Sequence, residues 1–135
     1  MAPRELGSGE TISRFIYHAR DWSDRSGRAK PAAFDPGNRP EISVAHVDGL
    51  TEDQIWSLSR QTLSGKPGRE AVLARADLDV AVLLRHSLRA IRDDSPFERH
   101  TAVSGWQKEN RKAICLELSC SASLRVSEAP VRRLP

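Results

Sequence analysis

Thr51-Glu52-Asp53-Gln54, set between Leu50 and Ile55, leaves the chain little freedom of local structure. Thr51 caps a helix, and Gln54 closes a capping box in which each side chain satisfies the other residue's backbone N–H. Leu50 and Ile55 take the two positions of a hydrophobic staple. Glu52 and Asp53 place negative charge at the positive end of the helix dipole. Behind them Ile55, Leu58 and Thr62 fall on one face, with Trp56 and Leu63 alongside. The helix is expected to stop near Gly65-Lys66-Pro67-Gly68.

Around this helix the apolar segments are short. Thr11 to His18 is β-prone through Ile12, Phe15, Ile16 and Tyr17, with a helix as the alternative because the alternation is imperfect. Glu41 to Val47 alternates as a strand. Glu70 to Ala76, Leu88 to Arg92, Thr101 to Gly105 and Leu124 to Val126 read as further strands. Asp77 is expected to cap a short helix bearing Val80, Leu83 and Leu84. Gln107 to Ala122 reads as the last helix, with Ile114, Leu118 and Ala122 on one face. Strands and helices mix without a βαβ rhythm, so the expected fold is α+β. It is a single small domain, with a mixed or antiparallel sheet and two or three packed helices. At 135 residues one domain is expected. Residues 1–10 are expected to be disordered, 11–127 to form the domain, and 128–135 to be an extended tail.

The longest uninterrupted apolar run, Val80 to Leu84, is far too short to span a bilayer, and the first ten residues lack a hydrophobic signal region. Cys115 and Cys120 would point apart on a helix, so a bridge between them is not expected. These features imply a cytoplasmic protein with no membrane partner.

Charge is concentrated between Thr11 and Pro40. Arg14, Arg20, Arg25, Arg28, Lys30 and Arg39 face only Asp21, Asp24 and Asp35 there, a surplus equal to the formal +3 of the whole chain. Phe15, Tyr17, Trp22 and Phe34 are interleaved with these charges. Guanidinium groups beside aromatic faces suit phosphate, carboxylate or nucleobase partners. The Arg excess over Lys also follows from a GC-rich coding sequence, so the basic balance alone is thin evidence for nucleic acid. Asp21 to Pro40 holds Gly27, Pro31, Pro36 and Gly37, which interrupt regular structure. A loop of that length in a compact domain usually serves a function.

Two constellations carry candidate chemistry. Arg14, Arg20, Arg25, Arg28 and Lys30 form an expected anion clamp, whose bland counterpart is a solvated basic loop. Arg99 and His100, after the Asp93-Asp94-Ser95-Pro96 turn, place a cation beside a candidate acid–base imidazole. Asp93, Asp94 and Glu98 could orient that imidazole; the bland counterpart is a surface histidine in a turn. His18 and Asp21 are spaced for a dyad, but the four histidines stand singly and the cysteine spacing is poor, so no metal is expected. No phosphate-binding glycine loop or nucleophile elbow is present, and no cofactor is implied. Cys115 reads as a small core residue.

Ile12-Ser13-Arg14-Phe15-Ile16-Tyr17, Gly27-Arg28-Ala29-Lys30-Pro31-Ala32-Ala33-Phe34, Asp48-Gly49-Leu50-Thr51-Glu52-Asp53-Gln54-Ile55-Trp56 and Arg99-His100-Thr101-Ala102-Val103-Ser104-Gly105-Trp106 resemble a family of small uncharacterised bacterial proteins. The resemblance spans residues 11 to 126 and implies a bacterial, cytosolic, single-domain protein. It carries no activity over. The functional expectation is a module that binds an anionic partner, nucleic acid or an acidic protein surface, through the basic loop. The alternatives are a small enzyme acting on a nucleotide or RNA phosphate ester with His100 as acid–base group, and an interaction partner in a two-gene system.

Overall fold

The structure is a computed structural model and describes residues 2–63 and 66–134. Its frame is a seven-stranded antiparallel sheet in the order β1-β7-β8-β5-β2-β6-β9. The strands are β1 (Arg4–Glu5), β2 (Thr11–Ile16), β5 (Glu41–His46), β6 (Ala71–Asp79), β7 (Arg89–Arg92), β8 (His100–Ser104) and β9 (Ser123–Arg132). A separate two-stranded hairpin joins β3 (Trp22–Ser23) to β4 (Arg28–Ala29). The described residues include three α-helices, α1 (Glu52–Arg60), α2 (Val80–Arg85) and α3 (Arg111–Ser121). The α+β expectation holds, and Thr11–Ile16 of the Thr11 to His18 segment is a strand. No described helix is long and apolar enough to cross a membrane.

The period-two alternation of strands divides the core between the two sheet faces. Ile12, Ile16, Ile42, Val44, Ala74, Ala76 and Leu78 pack with Phe34, Leu83, Ile114 and Leu118 on the face covered by α2, α3 and the 3-10 turn Pro31–Phe34. Phe15, Ala45 and Val47 point the other way and pack with Ile55, Leu58 and Leu63 of the α1 segment. Val72 joins this second cluster despite its even number. The β6–β9 register shifts beside it: Val72 pairs with Val131 and Ala74 with Val126, so the extra residues bulge from β9.

The capping box forms as expected: Gln54 N donates to Thr51 Oγ1 at 3.2 Å and Thr51 N to Gln54 Oε1 at 2.9 Å. The helix ends earlier than expected, at Arg60, and a 3-10 turn Gln61–Leu63 follows. Gly65 of the expected stop signal lies outside the described residues. The β6 strand runs on to Asp79, because Asp77 is held by Ser13 Oγ and Arg75 Nε. Asp79, in place of Asp77, caps α2 by accepting from Ala81 N at 2.8 Å. The last helix starts at Arg111, after a turn in which Asn110 N bonds Gln107 O at 3.3 Å.

Strands lie near both ends of the described residues. Arg4 and Glu5 pair with Arg92 and Ile91, and Leu6 is 1% exposed. The chain from Glu128 to Arg132 belongs to β9, with Val131 opposite Val72. Pro130 is tolerated there because β9 is an edge strand. The long loop also has internal structure. Besides the β3–β4 hairpin, Arg111 pins it through Asp35 at 3.2 Å and Gly37 O at 2.7 Å.

Candidate functional site

The α1 helix packs toward β6 and β9. It leaves the β5–β8–β7 half of its sheet face uncovered, and that half carries polar side chains. On β5, Ser43 lies opposite Ala102 and Ala45 opposite His100. The pleat therefore sets Ser43 and His100 diagonally on one face, within reach of each other. The His100 Nε2 atom lies 3.0 Å from Ser43 Oγ, and its Nδ1 lies 2.6 Å from Asp93 Oδ1. His100 is 5% exposed, while Ser43 is open to solvent. Phe97 meets the imidazole edge-on, with centroids 5.2 Å apart and planes at 88°.

The turn after β7 holds this arrangement. Asp93 N and Asp94 N both donate to His100 O, at 3.0 and 3.3 Å. Ser95 N donates to Asp93 Oδ1 at 3.3 Å. Asp94 and Arg99 sit in the left-handed region, at φ 56° and 73°. Arg99 N donates to Asp94 Oδ1 at 2.7 Å, which lowers the Asp94 carboxyl below its ordinary range, aided by Arg92. Non-glycine residues held there are costly and concentrate where a structure must fix a geometry. Where Asp93 accepts from Nδ1–H, the lone pair of Nε2 faces the Ser43 hydroxyl.

Cations surround this hydrogen-bonded chain. The β2 and β5 strands pair at Ile12–His46 and Ser13–Ala45 and then part. Arg14 fills the gap, donating from Nη1 to Ser43 O at 2.7 Å and from Nε to Ala33 O at 2.9 Å. A cleft of about 330 Å³ opens there, lined by Arg14, Arg39, Lys66 and Arg69 together with Ser43, His100, Tyr17 and Phe97. No described lining residue is a carboxylate. None of the four cations has an ion-pair partner among the described residues. Arg69 stacks on Tyr17 at 4.3 Å and donates to Thr62 O at 3.2 Å. Burial draws the Arg14 guanidinium below its ordinary pKa; Tyr17 opposes this, and Arg69 and Arg39 add to it. Positive charge is thus crowded in a half-enclosed site, where an anion relieves the repulsion.

Two of the residues singled out in the sequence, Arg14 and His100, come together in this cleft. Arg20, Arg25, Arg28 and Lys30 are exposed and do not line it. Arg28 lies on the β3–β4 hairpin, 3.8 Å from Cys120 Sγ. Arg99 turns away and donates from Nη1 to His46 O and Asp48 O, at 3.0 and 2.9 Å. Ser43, Lys66 and Arg69 escaped the sequence reading. Ser43 is one polar residue in an alternating strand, and Lys66 and Arg69 lie in a turn distant in sequence from the basic loop. The alternation of Glu41 to Val47 was a usable signal for Ser43, because it placed Ser43 on the face opposite Ile42 and Val44.

A second polar cluster lies beside the first. His46 Nε2 is 2.7 Å from Asp48 Oδ2 and 3.5 Å from Glu10 Oε1, a grouping of metal-ligand types. Arg92 Nη1 stands 3.0 Å from His46 Nδ1. An arginine can only donate, so Nδ1 accepts and the imidazole proton sits on Nε2, facing the carboxylates. A metal at Nε2 with Arg92 still on Nδ1 would need an imidazolate, so this geometry fits a structural network. Asp48 also accepts from Thr11 N at 2.9 Å, tying the β2 start to β5. Cys115 is buried in the core, and that burial pushes its thiol up to about 11. Comparison with protein-family models, curated proteins and solved structures finds no match to this chain.

Proposed function

We propose that the cleft binds the phosphate of a nucleotide or RNA ester, and that His100 is the acid–base group of a small enzyme acting there. The observation that carries this reading is the convergence of Arg14, Arg39, Lys66 and Arg69, unpaired among the described residues, on the Asp93–His100–Ser43 hydrogen-bonded chain. The guanidinium groups suit phosphate oxygens through paired N–H donors. As the Ser43 oxygen attacks phosphorus, His100 Nε2 takes its proton and passes it to the alcohol oxygen whose P–O bond breaks; water activated by the same nitrogen then hydrolyses the phosphoseryl ester and frees Ser43. Asp93 holds the tautomer and stabilises the imidazolium formed in passing. On this reading the anion site lies in the cleft, between β2, β5 and the Lys66–Arg69 turn, rather than at the hairpin carrying Arg25 and Arg28. Two free thiols and a nucleotide-type ligand fit a cytoplasmic protein.

The test is turnover of a panel: p-nitrophenyl phosphate, bis(p-nitrophenyl) phosphate and a fluorogenic dinucleotide RNA. His100→Ala is expected to lower kcat by at least a hundredfold, as loss of a general acid–base group does, while binding of inorganic phosphate persists. Asp93→Asn is expected to lower kcat with little change in KM. Turnover of none of the panel by the wild-type chain, with phosphate still bound in the cleft, would reduce the reading to a binding module.

A further inference from the structure

We propose that the substrate is a single strand of nucleic acid, threaded along a groove that begins at the His100 cleft and ends at Trp106. This rests on the phosphate-ester reading above and adds the class of substrate. The cleft does not end at Arg39. A second depression of about 160 Å³ shares Arg14, Arg39, Ser43 and Arg69 with it. A third, of about 310 Å³, shares Pro36 and Arg39 with the second and is lined by Trp106, Lys108 and Arg111. Arg39 is thus the common wall of one continuous track. It follows the β5–β8 strands from His100 toward the end of β8, a path of roughly 14 Å to Ser104 at about 3.4 Å per residue. A lone mononucleotide needs only the first of the three depressions.

Aromatic surface stands at the two ends of the track; the middle depression sets Arg14, Arg39 and Arg69 beside Asp35 and Glu41, with Asp35 paired to Arg111 at 3.2 Å. Phe97 and Tyr17 stand at the His100 end and Trp106 at the far end. Trp106 is half-buried, and its Nε1 donates to Val103 O at 2.9 Å, which fixes the ring. Arg39 and Lys108 are exposed and have no ion pair among the described residues. Aromatic surfaces for stacking bases, with cations spaced between them for the backbone, are the ordinary equipment of single-strand binding. The asymmetry places the reacting phosphate at the His100 end and further nucleotides toward Trp106.

The experiment is fluorescence anisotropy at low salt with 5′-fluorescein oligouridylates of one to six nucleotides, using the full chain. Affinity is expected to rise at least tenfold from one nucleotide to four and then level off. Lys108→Glu, at an exposed position, is expected to remove most of that gain and leave the binding of labelled uridine monophosphate unchanged. Trp106→Phe keeps a ring in place and is expected to give a smaller loss. Equal affinity for one nucleotide and for four would overturn the threaded strand and leave the phosphate cleft intact. A polyglutamate peptide of the same charge that binds as tightly as the oligomer would also overturn it, in favour of an acidic protein surface. Binding of neither mononucleotide nor oligomer would sink the phosphate reading itself.

Discussion

Single residues define this site through the partners they lack as well as those they have. Arg75, for comparison, is 1% exposed yet held by Glu52 at 2.8 Å and Asp77 at 3.1 Å, with its guanidinium 4.7 Å from the Trp56 ring centre. Arg14 has only two carbonyls, and like-charged Arg69 and Arg39 act on it. The first pattern serves stability and the second leaves a guanidinium available to a ligand. Asp94 offers a pH test of the turn that carries His100. Its carboxyl is held low, first by the Arg99 amide and further by Arg92. Its contribution is therefore fully present above its unfolded value near 3.9 and is lost as pH falls through the lower folded value. Asp94→Asn, which tolerates the left-handed backbone, is expected to cost about 1 kcal/mol in urea unfolding at pH 7. The gap between wild type and variant should close once the pH drops below the folded value; a gap that persists unchanged would argue against the ionised acceptor.

At the scale of elements, what was legible in the sequence was what is local. The capping box specifies α1 from six neighbouring residues, Leu50 to Ile55, and it forms as written. The edge strand β1 was not legible, and of β9 only Leu124 to Val126 was, because their side chains are mostly exposed and carry no two-sided apolar pattern. The Ser43–His100 contact was hidden for a different reason. It depends on the β5–β8 register, which brings together residues far apart in the chain. His100 was found because it follows a turn, and Asp93 because it sits in one. The junction of α2 and β7 with the end of β8 supplies a sharper test. Gly105 has φ 101°, and a Cβ there would lie 2.8 Å from Ser87 O. Gly105→Ala combines a left-handed backbone with a clash against main chain. It is expected to cost about 2–3 kcal/mol in denaturant unfolding. A loss under half a kcal/mol would show that the β8 exit relaxes freely, and with it the placement of Trp106.

For the whole molecule, the sheet divides labour between its faces. One is closed by α2, α3 and the Pro31–Phe34 turn over the larger apolar cluster. The other is closed by α1 only over the β6 and β9 side, and the uncovered half holds the Asp93–His100–Ser43 chain under four cations. The charge surplus of the Thr11 to Pro40 segment, legible at once in the sequence, reaches this half only through Arg14 and Arg39. The remaining cations are Lys66 and Arg69, from beyond α1. The most direct test of this account is a titration of the ¹⁵N-labelled protein with uridine monophosphate, followed by amide and histidine-ring resonances. The account predicts the largest shifts at Ser43, Thr62, Arg69, Phe97 and the His100 ring. Shifts confined to Arg25, Arg28 and Lys30, with the His100 ring unmoved, would contradict it and place the anion site on the hairpin.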